Sequence, residues 1–281
     1  GLSATPERYM DPEGTEKIFN FFGETLATTY SLEQAVAEGR LVPYDYYPTS
    51  IKLTESEQHD FDKVSENIKH LIGRCRRDVN NNIMPSNALK LAIFERARIV
   101  KKAENKIPET VQILKEFYEN SHQWLVYCDS IQQITELTVV LNDEGFDPFS
   151  YHSKLSSHER ESALLRFKST GGILLSIKCL DEGFNIPSVS HALIMASDQN
   201  PRQFIQRRGR VLRKDDQSNK LYASIFDLIV STNGFYSEEM KKFVKTELNR
   251  AYLFSKSSRN KNLSQSRVKS IATMSDIDLQ E

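Results

Sequence analysis

The stretch WLVYCDSIQQITELTVVLNDEGFDPFSYH, residues 124–152, decides the fold. It opens on an apolar run, WLVYC, too short for a helix and apolar on both faces. It then takes a helical period through SIQQITELTVVLNDEG and closes on a second short strand, FSYH. Strands of that kind separated by a helix belong to a parallel sheet covered on both sides.

The alternation continues outward. Helical IPETVQILKEFYEN (107–120) precedes the stretch, and a hydroxyl-capped helix, SSHERESALLRFKST (156–170), follows it. Then come the strand GILLSI (172–177), HALIM (191–195), helical NPRQFIQRRGRVLR (200–213) and LYASIFDLI (221–229). About five strands in roughly 125 residues is the content of one doubly wound α/β domain.

Toward the N-terminus the pattern is different. TEKIFNFFGE (15–24) and SLEQAVAEGR (31–40) read as short helices begun by Thr15 and Ser31, the second closed by Gly39. Phe19, Phe21 and Phe22 on the first are expected in the core or at an interface between lobes. LVPYDYYPTSIKL (41–53) is extended, and Pro43 and Pro48 restrict it to a sheet edge or a connector. TESEQHDFDKVSENIKHLIGR (54–74) starts with a capping box, Thr54 to Glu57, and places Phe61, Val64, Ile68, Leu71 and Ile72 at helical spacing. NALKLAIFERARIVKKAENK (87–106) is a second long helix, basic toward its end, and reads as a solvated face before a nucleic-acid contact. From Ser237 the chain is helical to about Phe254, then turns polar and is expected to be flexible. The resulting division is 1–52, 53–106, 107–236 and 237–281.

Bulk properties bound the function. The 281 residues carry a formal net charge of −1, with 39% hydrophobic and 27% charged residues, as in ordinary globular proteins. No apolar run is long enough to cross a bilayer, and no basic segment leads into an apolar one at the N-terminus. No membrane partner and a cytoplasmic chain are the expectations. Gly1 follows no methionine, which suggests a piece of something longer. Cys75, Cys128 and Cys179 stand apart without metal-ligand spacing, so no metal site and reduced structural thiols are expected. Trp124 is expected to be buried at the sheet edge rather than stacked on a base.

Against that neutral background QFIQRRGRVLRK (203–214) concentrates five positive charges in twelve residues. On a helix, Gln206, Arg210 and Arg213 share one stripe, while Ile205 and Leu212, with Gly209 between them, pack. Gly209 destabilises a helix by roughly 1 kcal/mol relative to alanine, which a close backbone approach would explain. Guanidinium forks match phosphate oxygens two at a time, and the charge of a transferring phosphoryl group is stabilised by such groups. Upstream, in SIKCLDEGFNIP (176–187), a strand runs into an acidic-glycine turn, His152 ends a strand, and Ser-Ala-Thr stands at 3–5.

Taken together these segments resemble the ordered motifs of superfamily 2 DEAD/DEAH-type helicases and translocases, in the style of XPB-like helicases and restriction-enzyme motor subunits. Ser3, Ala4 and Thr5 match motif III, WLVYCDS motif IV, YHSKLSSHER the motif after it, DEGFNIP motif V and QRRGRVLR motif VI, across about 210 residues. The resemblance implies a RecA-like C-terminal lobe preceded by the motif III segment and a helical insertion. It makes Arg210 and Arg213 the arginine fingers, with Gln206, Gly183, Glu182 and Asn185 beside the nucleotide. His152, Ser153, Ser176 and Lys178 become nucleic-acid contacts, and Ser3 and Thr5 coupling residues. Asn185 stands where many members have aspartate, Ile177 where many have a threonine, and Ser153 where glycine is common.

The implied cofactors are ATP and Mg²⁺, held mainly by a first RecA-like lobe, and the implied nucleic acid is DNA rather than RNA. The 281 residues contain no G-x-x-x-x-G-K-[ST] loop and no D-E-x-x strand end. The chain alone is therefore expected to be inactive as an ATPase. Two other readings stand beside the motor: a nucleic-acid or partner-binding module without an ATPase role, and the motor part of a restriction-type nuclease.

Overall fold

The structure, a computed structural model, describes residues 12–23, 31–77, 83–177, 186, 188–196, 209–215, 220–231 and 237–279. Six parallel strands form one sheet in the order β1-β6-β5-β2-β4-β3. They are β1 (Tyr44–Lys52), β2 (Gln123–Tyr127), β3 (Phe149–Tyr151), β4 (Gly172–Ser176), β5 (His191–Ile194) and β6 (Ala223–Ser231). The five strands legible from residue 124 onward are all present. The sixth is the proline-bearing segment at 41–53, which supplies the outermost strand and pairs with β6 from Tyr44↔Ala223 to Lys52↔Ser231.

The helices are α1 (Pro12–Phe22), α2 (Leu32–Ala37), α3 (Glu55–Gly73), α4 (Asn87–Lys101), α5 (Lys106–Phe117), α6 (Ile131–Asp143), α7 (Ser157–Thr170), α8 (Glu238–Ser255) and α9 (Lys261–Met274). Hydroxyl caps hold six of the described helix starts, Ser86 on α4 and Ser237 on α8 among them. Ser31, Thr54 and Ser156 each close a capping box with Gln34, Glu57 and Glu159, and Ser130 caps α6. Thr15, by contrast, lies inside α1, which begins at Pro12. Phe21 and Phe22 on that helix are 81% and 59% exposed, so they are not core residues.

Both faces of the sheet are covered, because strand side chains alternate. On one face Tyr44 stacks on Phe254 of α8 and Tyr46 meets the same ring edge-on. On the other, Tyr47 and Phe226 meet Phe117 of α5, and Trp124 lies between Phe226 and His191 at 5.2 and 4.6 Å. Trp124 is fully buried, as expected, but in a central strand rather than at the edge, because β2 sits between β5 and β4.

α3 and α4 form a hairpin closed by Ile68, Leu89 and Ala92. It is fastened to α8 through Phe61 against Phe243, the Ser237 hydroxyl donating to Asp62, and Lys69 paired with Glu239 at 3.0 Å. Downstream, the polar segment read as a flexible tail instead forms α9. Its buried face is Ser264, Val268, Ile271 and Ala272, a helical stripe in which a serine takes one apolar place and bonds to the Ser258 hydroxyl at 2.9 Å.

Candidate functional site

In a doubly wound sheet ligands gather beyond the carboxyl ends of the strands. Here that rim is made by Lys52 at the end of β1, Asp129 after β2, His152 and Ser153 after β3, Ser176 and Ile177 at the end of β4, and Met195 and Ala196 after β5. Asp129 is held in place from two sides. Its N–H donates to Gln133 Oε1 at 2.8 Å, and Lys101 at the end of α4 stands 3.8 Å from its carboxylate.

His152 is half-buried at the end of β3, and its Nδ1 is buried without a hydrogen-bond partner among the described residues. Ser153 next to it is exposed. Tyr151 pairs with Ser176 across β3 and β4, so the three candidate contacts sit on neighbouring strand ends. Ser176, however, is fully buried, and its hydroxyl donates to the Ile177 carbonyl at 2.9 Å. It offers nothing to solvent in this arrangement.

The arginine segment ends in a helical turn, 209–211. Val211 and Leu212 are fully buried and anchor it, Arg210 is half-buried and Arg213 exposed. Arg210 and Arg213 line one small cleft of about 10 Å³ together with Leu125, Ile186 and Val189. The end of DEGFNIP thus meets the two arginines over β2. No described atom lies within 4 Å of the place a Cβ on Gly209 would take, so the expected close backbone approach is not found there.

This turn is fixed from two directions. The Val42 N–H donates to the Leu212 carbonyl at 2.8 Å, beside an antiparallel bridge between Leu41 and Arg213. Lys220 donates to the carbonyls of Val211 at 2.5 Å and Arg213 at 3.2 Å, where a helix end favours a cation. Burial pushes the Lys220 ammonium down to about 8, against the attraction of Asp215. His191 is half-buried, and desolvation, with His122 and Lys220 nearby, pushes its imidazole down to about 3.

Lys106 was not singled out by the sequence. It opens α5, where the helix dipole disfavours a cation, and that mismatch is the signal that could have found it. The side chain is 2% exposed and donates to the Met195 carbonyl at 2.5 Å, where β5 ends. Burial pushes it down to about 8, opposed by Glu247, Asp227 and Asp129 in that order. Glu247 is itself held by Arg250, and Asp227 accepts from the Tyr46 hydroxyl at 2.8 Å. A buried charge network therefore stands behind the strand end that leads toward the arginines.

Ser3, Thr5, Lys178, Glu182, Gly183, Asn185 and Gln206 lie outside the described residues. Among the described residues no three His, Cys, Asp or Glu side chains gather in a way that could hold a metal ion. Nor is any described helix long and apolar enough to cross a membrane.

Residues 105–215 match the family described as helicase conserved C-terminal domain. The DNA 3'-5' translocase XPB2 of Sulfurisphaera tokodaii is 24% identical over 77% of this chain and 50% of its own length. A putative ATP-dependent RNA helicase of Methanocaldococcus jannaschii is 29% identical over 54% of this chain and 21% of its own. The chain thus spans half or less of these relatives' length. Among solved structures, the SWI2/SNF2 ATPase core of Sulfolobus solfataricus in complex with double-stranded DNA superposes with a TM-score of 0.51 at 16% identity, covering 83% of this chain and 51% of that one. Residues 105–215 of this chain thus match a helicase conserved C-terminal domain, carried on a parallel α/β sheet of RecA-like fold.

Proposed function

We propose that the chain is the C-terminal lobe of an ATP-dependent nucleic-acid motor and that Arg210 and Arg213 complete a nucleotide pocket whose phosphate loop and Mg²⁺ ligands come from a first RecA-like lobe. What supports the reading is that Arg210 and Arg213 line one small cleft with Ile186 and Val189, so the end of the segment resembling motif V stands beside the segment resembling motif VI. Guanidinium groups presented there would stabilise the charge on the γ-phosphoryl oxygens, and Mg²⁺ would neutralise charge between the β- and γ-phosphates. DNA is the proposed track, supported by the XPB2 relative, named as a DNA translocase. His152 and Ser153 stand at the strand ends where the backbone would pass.

Domain-wise, we read 53–106 as a helical insertion and 107–236 as the core of the lobe, with the strand at 44–52 built into the lobe's sheet. Arg210→Ala in the protein with both lobes should lower ATP turnover by about 10³ while the protein stays folded. Unchanged turnover would overturn the reading and favour a binding module.

A further inference from the structure

Helix α4 has a face that its packing does not use. Leu89, Ala92 and Val100 are buried on one side. On the opposite side Asn87, Leu91, Phe94, Arg98 and Lys102 follow one another at three- and four-residue steps, with Lys90 four residues before Phe94, and form a continuous stripe. Leu91 is 69% and Phe94 64% exposed, between cations. Lys90 and Arg98 make no ion pair among the described residues, and Glu95 is the only acidic residue of the helix. Residues 74–102 hold eight Lys and Arg against two acids, Asp78 and Glu95, in a chain whose net charge is −1.

The stripe leads to the functional rim. Lys101 meets Asp129 at the end of β2, and Lys102 donates to Gln132 of α6 at 3.1 Å. The same end of the sheet carries His152 and Ser153. A protein-binding face would concentrate apolar side chains and exclude charge from its centre. Cations alternating with a flat exposed ring fit a strand of phosphates and unstacked bases.

We infer that the outer face of α4, from Lys90 to Lys102, binds single-stranded nucleic acid, with Lys90, Arg98 and Lys102 on phosphates and a base stacked on Phe94. The inference rests on the chain being a nucleic-acid motor lobe, yet it is read out without nucleotide. Fluorescence anisotropy of labelled oligo-dT with the full 281-residue chain, across a salt series, tests it. Phe94→Ala should weaken binding about tenfold without changing the salt dependence. The triple variant Lys90→Gln, Arg98→Gln, Lys102→Gln should reduce the slope of log affinity against log salt by about 2. These side chains are outside the core, so melting temperatures should hold and show that the variants are folded.

Unaltered affinity and slope in both variants overturn the inference, as does absence of binding by the unaltered chain. A loss of self-association in Phe94→Ala with oligo-dT binding intact would also overturn it, marking the face as a contact between copies. If His152→Ala weakens binding while the α4 variants do not, the stripe is refuted and the motor-lobe reading survives. That reading stands or falls separately, on ATP turnover of Arg210→Ala.

Discussion

Asn260 holds both main-chain polar groups of Tyr46, its Oδ1 accepting from the Tyr46 N–H at 2.9 Å and its Nδ2 donating to the Tyr46 carbonyl at 3.1 Å. One side chain thereby imitates a neighbouring strand on the outer edge of β1. Asparagine usually caps a helix start, but here α9 has no side-chain cap because Asn260 is spent on the edge. Pro48, two residues on, lacks an N–H, so the edge offers little for another chain to pair with. Asn260→Ala should destabilise the protein by about 1–3 kcal/mol, since it strands a donor and an acceptor of a buried residue. Asn260→Asp keeps the acceptor alone and should lose less. Equal urea midpoints for the alanine variant and the unaltered protein would refute the role.

The β1 ladder makes a second expectation. All nine residues of β1 pair with β6, and Tyr44, Tyr46 and Ile51 belong to the main core. A chain beginning at Leu53 leaves the fully buried β6 as an open edge. It should lose cooperative melting, whereas a chain beginning at Ser31 should keep it. A sharp, unshifted transition in the shorter chain would show that the lobe does not need this strand.

What the sequence made legible follows from burial. β2, β4 and β6 are apolar on both faces because helices cover both, and that run of apolar residues needs no partner to be recognised. The hydroxyl-capped helices are equally local signals. α9 was hidden because Ser264 takes a core position, a polar residue satisfied only through Ser258 and Lys261. At the candidate site, Arg210 and Arg213 stand out by their spacing, while Lys106 does not, because its carbonyl partner Met195 is 89 residues away. Ser176 follows as a nucleic-acid contact only from the resemblance, and burial of the strand on both faces turns its hydroxyl inside.

Gly171 gives a third test. It follows α7 with φ 74 and ψ −155, a region that glycine alone occupies readily. An added Cβ would stand 3.1 Å from the His122 carbonyl oxygen, which already accepts from the Gly172 N–H at 3.0 Å and cannot move freely. Gly171→Ala should therefore destabilise the protein by about 1–3 kcal/mol. A denaturation midpoint equal to that of the unaltered protein would contradict it.

The last expectation concerns pH. Lys106 titrates at about 8 in the folded chain because burial disfavours its charge, against 10.5 when exposed in the unfolded chain. Between those values the unfolded state binds more protons, so stability rises with pH from about 8 toward 10.5, and below 8 this group contributes no slope. The full rise for one such group is about 3 kcal/mol. Lys220, also lowered to about 8 by burial, acts in the same window and with the same sign. Lys106→Met should therefore remove about half of the rise in unfolding free energy measured by urea titration from pH 8 to about 10, leaving the part due to Lys220. Tyr47 and Tyr118, both raised by burial, work in the opposite direction only as pH passes the ordinary tyrosine value of 10, so the lower part of the window isolates the lysines. A slope identical in Lys106→Met and the unaltered protein would mean that Lys106 is not held as a buried, charge-disfavoured amine at the end of β5.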